Sequence, residues 1–163
     1  SNTSSQVVIQ SFISLSMSSN LSGGIDFGTI TTLPVVQRNA TYNYNLSGDT
    51  NKTGYDIAVS TDSNVNVDFC IKASGNLNTS GGASIPIVNE FWQDSSVNNI
   101  TNPSETNKNS LTTAYSNITA TANLAPGNSN YYRFWLNVSS GQAAGTYNNT
   151  ISFQGVQTGT SCS

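Results

Sequence analysis

Apolar residues in this chain recur at every second position, and no stretch holds the 3.6-residue spacing of a helix for a useful length. GYDIAVST places Tyr55, Ile57 and Val59 on one face, and NVNVDFCIK does the same with Val65, Val67, Phe69 and Ile71. YYRFWLNVS sets Tyr132, Phe134, Leu136 and Val138 opposite Tyr131, Arg133 and Trp135. Further runs are the opening stretch, IDFGTITTLPV up to Pro34, TYNYNLSG with Tyr42, Tyr44 and Leu46 aligned, and LTTAYSNITATANL. The last is GTYNNTISFQGV, with Tyr147, Ile151 and Phe153 inward. Gly, Asn, Asp and Ser clusters bound each run, which is turn chemistry. About nine short strands at this spacing predict an all-β, antiparallel sandwich. Residues 73–109 are less regular: IPIV reads as a strand, EFWQD as a cap over an open core, and the rest as loop.

The opening stretch SNTSSQVVIQSFISLSMSSN alternates from Val7 to Met17. Val7, Ile9, Ile13, Leu15 and Met17 share one side, with Ser11 the single polar residue in that row, and Val8 and Phe12 add apolar bulk opposite. The strand begins where most domains have a frayed polar end. It belongs either to an edge of its own sheet or to a neighbour's. SSNLSGG, which follows, has the composition of a flexible linker. The expected organisation is therefore residues 1–24 as strand and linker, and 25–163 as one sandwich domain.

Charged residues make up 8% of the chain, against about a quarter in an ordinary domain, and Asn, Ser and Thr supply the polarity instead. A surface of neutral amides and hydroxyls needs another solubilising layer. Asn-x-Ser/Thr sequons provide one, at Asn2, Asn20, Asn39, Asn45, Asn51, Asn78, Asn99, Asn117, Asn137 and Asn148. Composition alone yields about six such motifs by chance, so the weight lies in their spread along the chain and in the missing charges. The net charge of −3 argues against a nucleic-acid partner. No apolar run is long enough to span a membrane. No basic leader is visible either, so a secreted chain with its signal already removed is expected. Cys70 and Cys162 form a disulfide if the chain is secreted and remain thiols if it is cytosolic. A bridge would close a loop of about 93 residues, which in the chain-entropy treatment contributes roughly 4 to 5 kcal/mol.

Catalytic chemistry is poorly provided for. The chain has no histidine, and neither a zinc nor a redox motif, so no metal and no cofactor is expected. Glu90 and Asp94 flank Phe91 and Trp92, an arrangement open to a glycosidase pair, but solvated acids beside buried aromatics are the simpler expectation. Asp62, Asn64, Asn66 and Asp68 suit a solvated strand face better than a calcium loop, which needs a glycine turn. Lys72 is a candidate for an isopeptide cross-link. Trp92, Trp135 and Tyr131 are candidates for a sugar-binding platform in a monomeric carbohydrate-binding or surface-layer domain. No arrangement points to an enzyme.

YYRFWLNVSSGQAAGTYNNTISFQGVQTGTSC at 131–162 resembles the closing hairpin of secreted prokaryotic Ig-like sandwiches, with its aromatic strand and AGTY turn. IDFGTI resembles the early strand of the same domains. With the sequon density, the early free strand and the terminal GTSC, the chain is similar to subunits of archaeal surface filaments of the thread and bundling-pilus type, over about half its length. The resemblance implies an Ig-like β-sandwich in an extracellular appendage for adhesion or cell–cell contact. It also implies identical subunits joined head to tail by donor-strand complementation, with Val7 to Met17 as donor and Val7, Ile9, Ile13, Leu15 and Met17 as its knobs. Physical reasoning is compatible with this: an added strand satisfies an open sheet edge and fills its apolar groove together. Eleven extended residues span about 36 Å, and burying five apolar side chains contributes roughly 7 to 15 kcal/mol before association costs.

Overall fold

A computed structural model of the chain describes residues 3–117, without the side chain of Asn117, and residues 122–163. Its strands are β1 (Leu15–Met17), β2 (Val35–Asn39), β3 (Tyr55–Val59), β4 (Val67–Ala73), β5 (Leu77–Asn78) and β6 (Ser84–Ile85). These are followed by β7 (Glu90–Ser95), β8 (Asn109–Ser110), β9 (Ser116–Asn117), β10 (Ser129–Val138) and β11 (Ile151–Gln157). One short helix, α1 (Ser19–Ser22), and two single 3-10 turns complete the described elements. The fold is all-β and every strand pairing in it is antiparallel.

The larger sheet runs β1-β3-β10-β7-β8, with β2 also paired to β10, and the smaller runs β11-β4-β9. Both contribute to one core. Tyr132 and Phe134 of β10 meet Phe153 of β11 with ring centroids 5.1 and 6.5 Å apart, and Val67, Phe69 and Ile71 of β4 are fully buried in the same cluster. Alternation explains this directly, since residues i, i+2 and i+4 of a strand share a face.

β10 is the central strand. Along one edge it pairs with β3 through residues 129–132 and with β2 through residues 135–138. Between these, the Asn43 side chain acts as a substitute strand: its amide nitrogen donates to the Phe134 carbonyl at 2.6 Å, and its oxygen accepts the Phe134 N–H at 2.9 Å. The backbone requirement for partners is thereby met across a break in the sheet.

Several expected strands take other forms. IDFGTITTL is irregular and β2 starts only after Pro34; TYNYNLSG is a series of turns with a single bridge between Leu46 and Asp49. LTTAYSNITATANL holds only the short β9, and its residues 118–121 lie outside the described residues. EFWQD caps nothing; it is β7, paired with β10 over six residues. The supposed linker is anchored. Ser18 caps α1 and donates its hydroxyl to the Gly54 carbonyl at 2.9 Å, and Leu21 is buried.

Candidate functional site

The opening segment divides into two parts. Leu15–Met17 pairs with β3, in the register Leu15 to Val59 and Met17 to Ile57. Ahead of it, the Ser60 N–H donates to the Ser14 carbonyl at 2.9 Å, and the Asn64 side chain accepts the Phe12 N–H at 2.7 Å while donating to the Gln10 carbonyl at 3.0 Å. Ile13 packs against the core. Of the five expected knobs, Leu15 and Met17 thus sit in the chain's own sheet, because β3 offers an edge that satisfies their backbone. Val7 and Ile9 do not: they are 81% and 80% exposed, and Val8 is 74% exposed. An apolar row this open in a free chain is unusual, since exposed apolar clusters mark contact surfaces.

The other half of the site is a groove. β11 ends the smaller sheet, and among the described residues its only ladder partner is β4. Beside it lies a cleft of about 1020 Å³, walled by Leu136 and Val138 from the end of β10, Ile151 and Phe153 from β11, Leu77, Ile85, and Ile25 to Leu33 from the irregular early segment. Met17 also lines it. Leu15 closes tightly onto β11 nearby, where a Cβ on Gly155 would lie 2.6 Å from its Cδ1. A cleft with apolar side chains along part of its wall, beside an unpaired strand edge, has the form required to receive an extended peptide.

Glu90 is the only buried polar or charged residue in the groove wall among the described residues. Sequence reasoning left this acid in solvent, but β7 points Glu90, Trp92 and Asp94 inward together. Burial raises the Glu90 carboxyl to about 7, against the opposing effect of a 2.7 Å hydrogen bond from Asn149 Nδ2. Its folded value lies above the unfolded one, so the contribution of Glu90 to stability is full below about pH 4.5 and falls as pH rises to about 7, by about 3 kcal/mol. Glu90→Gln keeps an acceptor for Asn149 and is expected to abolish that slope in pH-dependent denaturant melts; an unchanged slope would show that Glu90 is not the group responsible.

Asp94 is also buried. Asn130 Nδ2 lies 3.2 Å from its Oδ2 and 2.7 Å from the Tyr132 hydroxyl. Burial first, and the Asp94 charge second, push the Tyr132 phenol well above its ordinary value. Four residues along one strand separate the two acids by about 13 Å, wider than either glycosidase geometry. Trp92 and Trp135 are 2% and 0% exposed, so neither can stack on a sugar. Tyr131 is partly exposed and would stand without them. Lys72 lies on the outer face of β4, 4.2 Å over the Tyr115 ring, away from the inward-facing acids. Asp62 to Asp68 share no strand face, because β4 begins only at Val67, and the described residues hold no cluster of three metal-ligating side chains.

Arg133, like Trp135, is a large side chain that sequence reasoning left outside. It points away from the core, yet it is wholly buried beneath two loops. Its guanidinium donates to the carbonyls of Asn43 (2.7 Å), Pro103 (2.5 Å), Asn99 (2.8 Å), Asn51 (3.1 Å) and Ile100 (3.4 Å), and it stacks 4.0 Å from the Tyr44 ring. The one signal in the sequence was a lone arginine within an aromatic strand. Cys70 and Cys162 are bridged, with Cα atoms 6.4 Å apart, and this joins the C-terminal tail to β4.

Asn39, Asn45, Asn51, Asn78 and Asn148 are exposed, and Asn20, Asn99 and Asn137 partly so. Asn2 lies outside the described residues, and so does the side chain of Asn117, whose backbone pairs with Cys70. No helix among the described residues is long and apolar enough to cross a membrane. Compared with known proteins, the chain matches no family model, no curated protein and no solved structure.

Proposed function

We propose that this chain is a structural subunit of an extracellular, N-glycosylated filament of the pilus or thread kind, built head to tail by donor-strand complementation and serving adhesion or cell–cell contact. The observation that carries the reading is a complementary pair within one chain: an exposed apolar segment ahead of Ile13, and an unfilled groove, walled in part by apolar side chains, beside the open edge of β11. In the assembly, residues 5–11 of one copy lie along β11 of the next. Seven residues extend about 23 Å, the length of β11. Val7 and Ile9 enter the groove and contribute roughly 3 to 6 kcal/mol before association costs, and the added backbone ladder closes the sheet edge. Leu15 and Met17 stay with their own subunit and shape the groove's wall. The donor is thus shorter than Val7 to Met17.

A head-to-tail contact of this kind generates an open polymer rather than a closed dimer. Two packed antiparallel sheets missing an edge partner support the Ig-like, strand-completed architecture. The disulfide supports an oxidising location. Exposed or partly exposed sequons across the fold support a glycan shell in place of surface charge.

Deleting residues 3–11 tests the reading. The shortened chain keeps β1 and its bonds to β3, and it is expected to fold and run as a monomer. The intact chain is expected to form polymers that survive mild detergent and dissociate on boiling. Polymers of equal length from the shortened chain would remove the donor role.

A further inference from the structure

We infer that N-linked glycans on the outer face of the larger sheet form a packed layer over exposed aliphatic side chains there, and are not merely a solvated fringe. The inference rests on the reading that the chain is glycosylated, and it adds where the sugars lie and what they cover.

Two independent observations meet on that face. The first is the position of the sequons. Asn39 pairs with Trp135, and Asn137 follows Trp135 by two, so both share the outward side of the sheet. The carbonyls of Asn51 and Asn99 are held by outward-facing Arg133, and Asn45 adjoins Tyr44, which stacks on that guanidinium. Five sequons therefore surround one hub. The second is the distribution of large exposed apolar side chains. Outside the opening segment these are Val36, Val88, Val97 and Ile100, 71%, 57%, 50% and 61% exposed. Val97 and Ile100 flank Asn99 in one loop. Val36 lies beside Asn137, whose Oδ1 accepts the Gln37 N–H at 2.8 Å. Only Val88 falls outside the cluster.

The chemistry is complementary. A pyranose ring has a C–H face that packs on aliphatic carbon and a hydroxyl rim that stays in water. Removing the aliphatic carbons from water is favourable.

Carbene footprinting read by peptide mass spectrometry tests this on the native glycoprotein and on its Ser139→Ala variant. That substitution destroys the Asn137 sequon at an exposed position, and the Asn137–Gln37 bond remains. In the native protein, peptides containing Asn39, Asn99 and Asn137 are expected to carry sugar. Ser139→Ala is expected to raise labelling of Val36 at least threefold and leave Val97, Ile100 and Val88 unchanged. Sugar at all three sites with unchanged Val36 labelling would overturn the packed layer and leave the glycosylated-subunit reading standing. Absence of sugar at all three would overturn the inference, and absence at every sequon would overturn the glycosylated reading with it.

Discussion

Replacing Arg133 with methionine is expected to lower stability by about 4 kcal/mol, because it removes one buried cation and strands its acceptors together. Five main-chain carbonyls from two loops converge on this guanidinium, and at least the Pro103 and Asn43 acceptors lie where water does not readily replace the donor. Among the described residues the charge is met by carbonyl dipoles and an aromatic face, with no carboxylate in the cage. Burial lowers the guanidinium pKa, but arginine begins so high that it stays charged. The melting temperature should fall by about 10 °C in a chain of this size. Arg133→Lys is the sharper control. A lysine keeps the charge but cannot present a planar fork to five acceptors, so about half the loss should persist. If Arg133→Lys melts within 1 °C of the parent, the cage is not what holds the two loops.

Removing the Cys70–Cys162 bridge is expected to cost a comparable amount. The bridge spans 92 positions, and closing a loop that long removes about 4 to 5 kcal/mol of unfolded-chain entropy in the chain-entropy treatment. The tail keeps a second attachment. Asp68 accepts hydrogen bonds from the Asn123 and Gly159 N–H groups at 2.7 and 2.9 Å and from the Thr158 hydroxyl at 3.1 Å. Burial acts to raise the Asp68 carboxyl, but these bonds outweigh it and hold it below its ordinary value. The folded state should therefore survive reduction with a lower melting temperature, and the native-state register of β11 on β4 should be retained. The measurement is a denaturant titration of the Cys70→Ala, Cys162→Ala chain against the parent. A difference below 1 kcal/mol would mean that the unfolded chain is already constrained without the bridge.

Alternation served well where one face of a strand meets the core. Tyr55, Ile57 and Val59, then Val67, Phe69 and Ile71, then Tyr132, Phe134, Leu136 and Val138 are all buried as their spacing indicates. It misled where a second layer covers the opposite face. Arg133 and Trp135 have outward register, yet the 43–51 and 99–103 loops fold over that side, and no local pattern announces a loop that closes on a distant strand. TYNYNLSG shows the converse. Its aromatic alternation is real, but Tyr44 serves to stack on Arg133, and Asn43 supplies by side chain the bonds a strand would supply by backbone.

The candidate site was legible in half. The apolar row ahead of Ile13 is visible in sequence, as is its single polar break at Ser11. The groove was not, because its wall is assembled from stretches far apart in the chain, one of them the irregular 25–33 segment. Glu90 was misplaced for a related reason. Its neighbour Trp92 already indicated which side of β7 is buried, and two residues of alternation would have carried the acid inward with it. An acid there is costly unless neutral, so composition favoured the wrong face.

The central claim is that the segment ahead of Ile13 completes a neighbouring subunit. The most direct measurement is an electron-microscopy reconstruction of native assembled material with the main chain of residues 5–13 traced. The account predicts that residues 5–11 leave their own subunit and run along β11 of the next, with Val7 and Ile9 in the groove between Leu136, Ile151 and Phe153, while Ile13 stays in its own core. A segment lying in its own subunit's groove, or free in solvent beside an empty one, would contradict it.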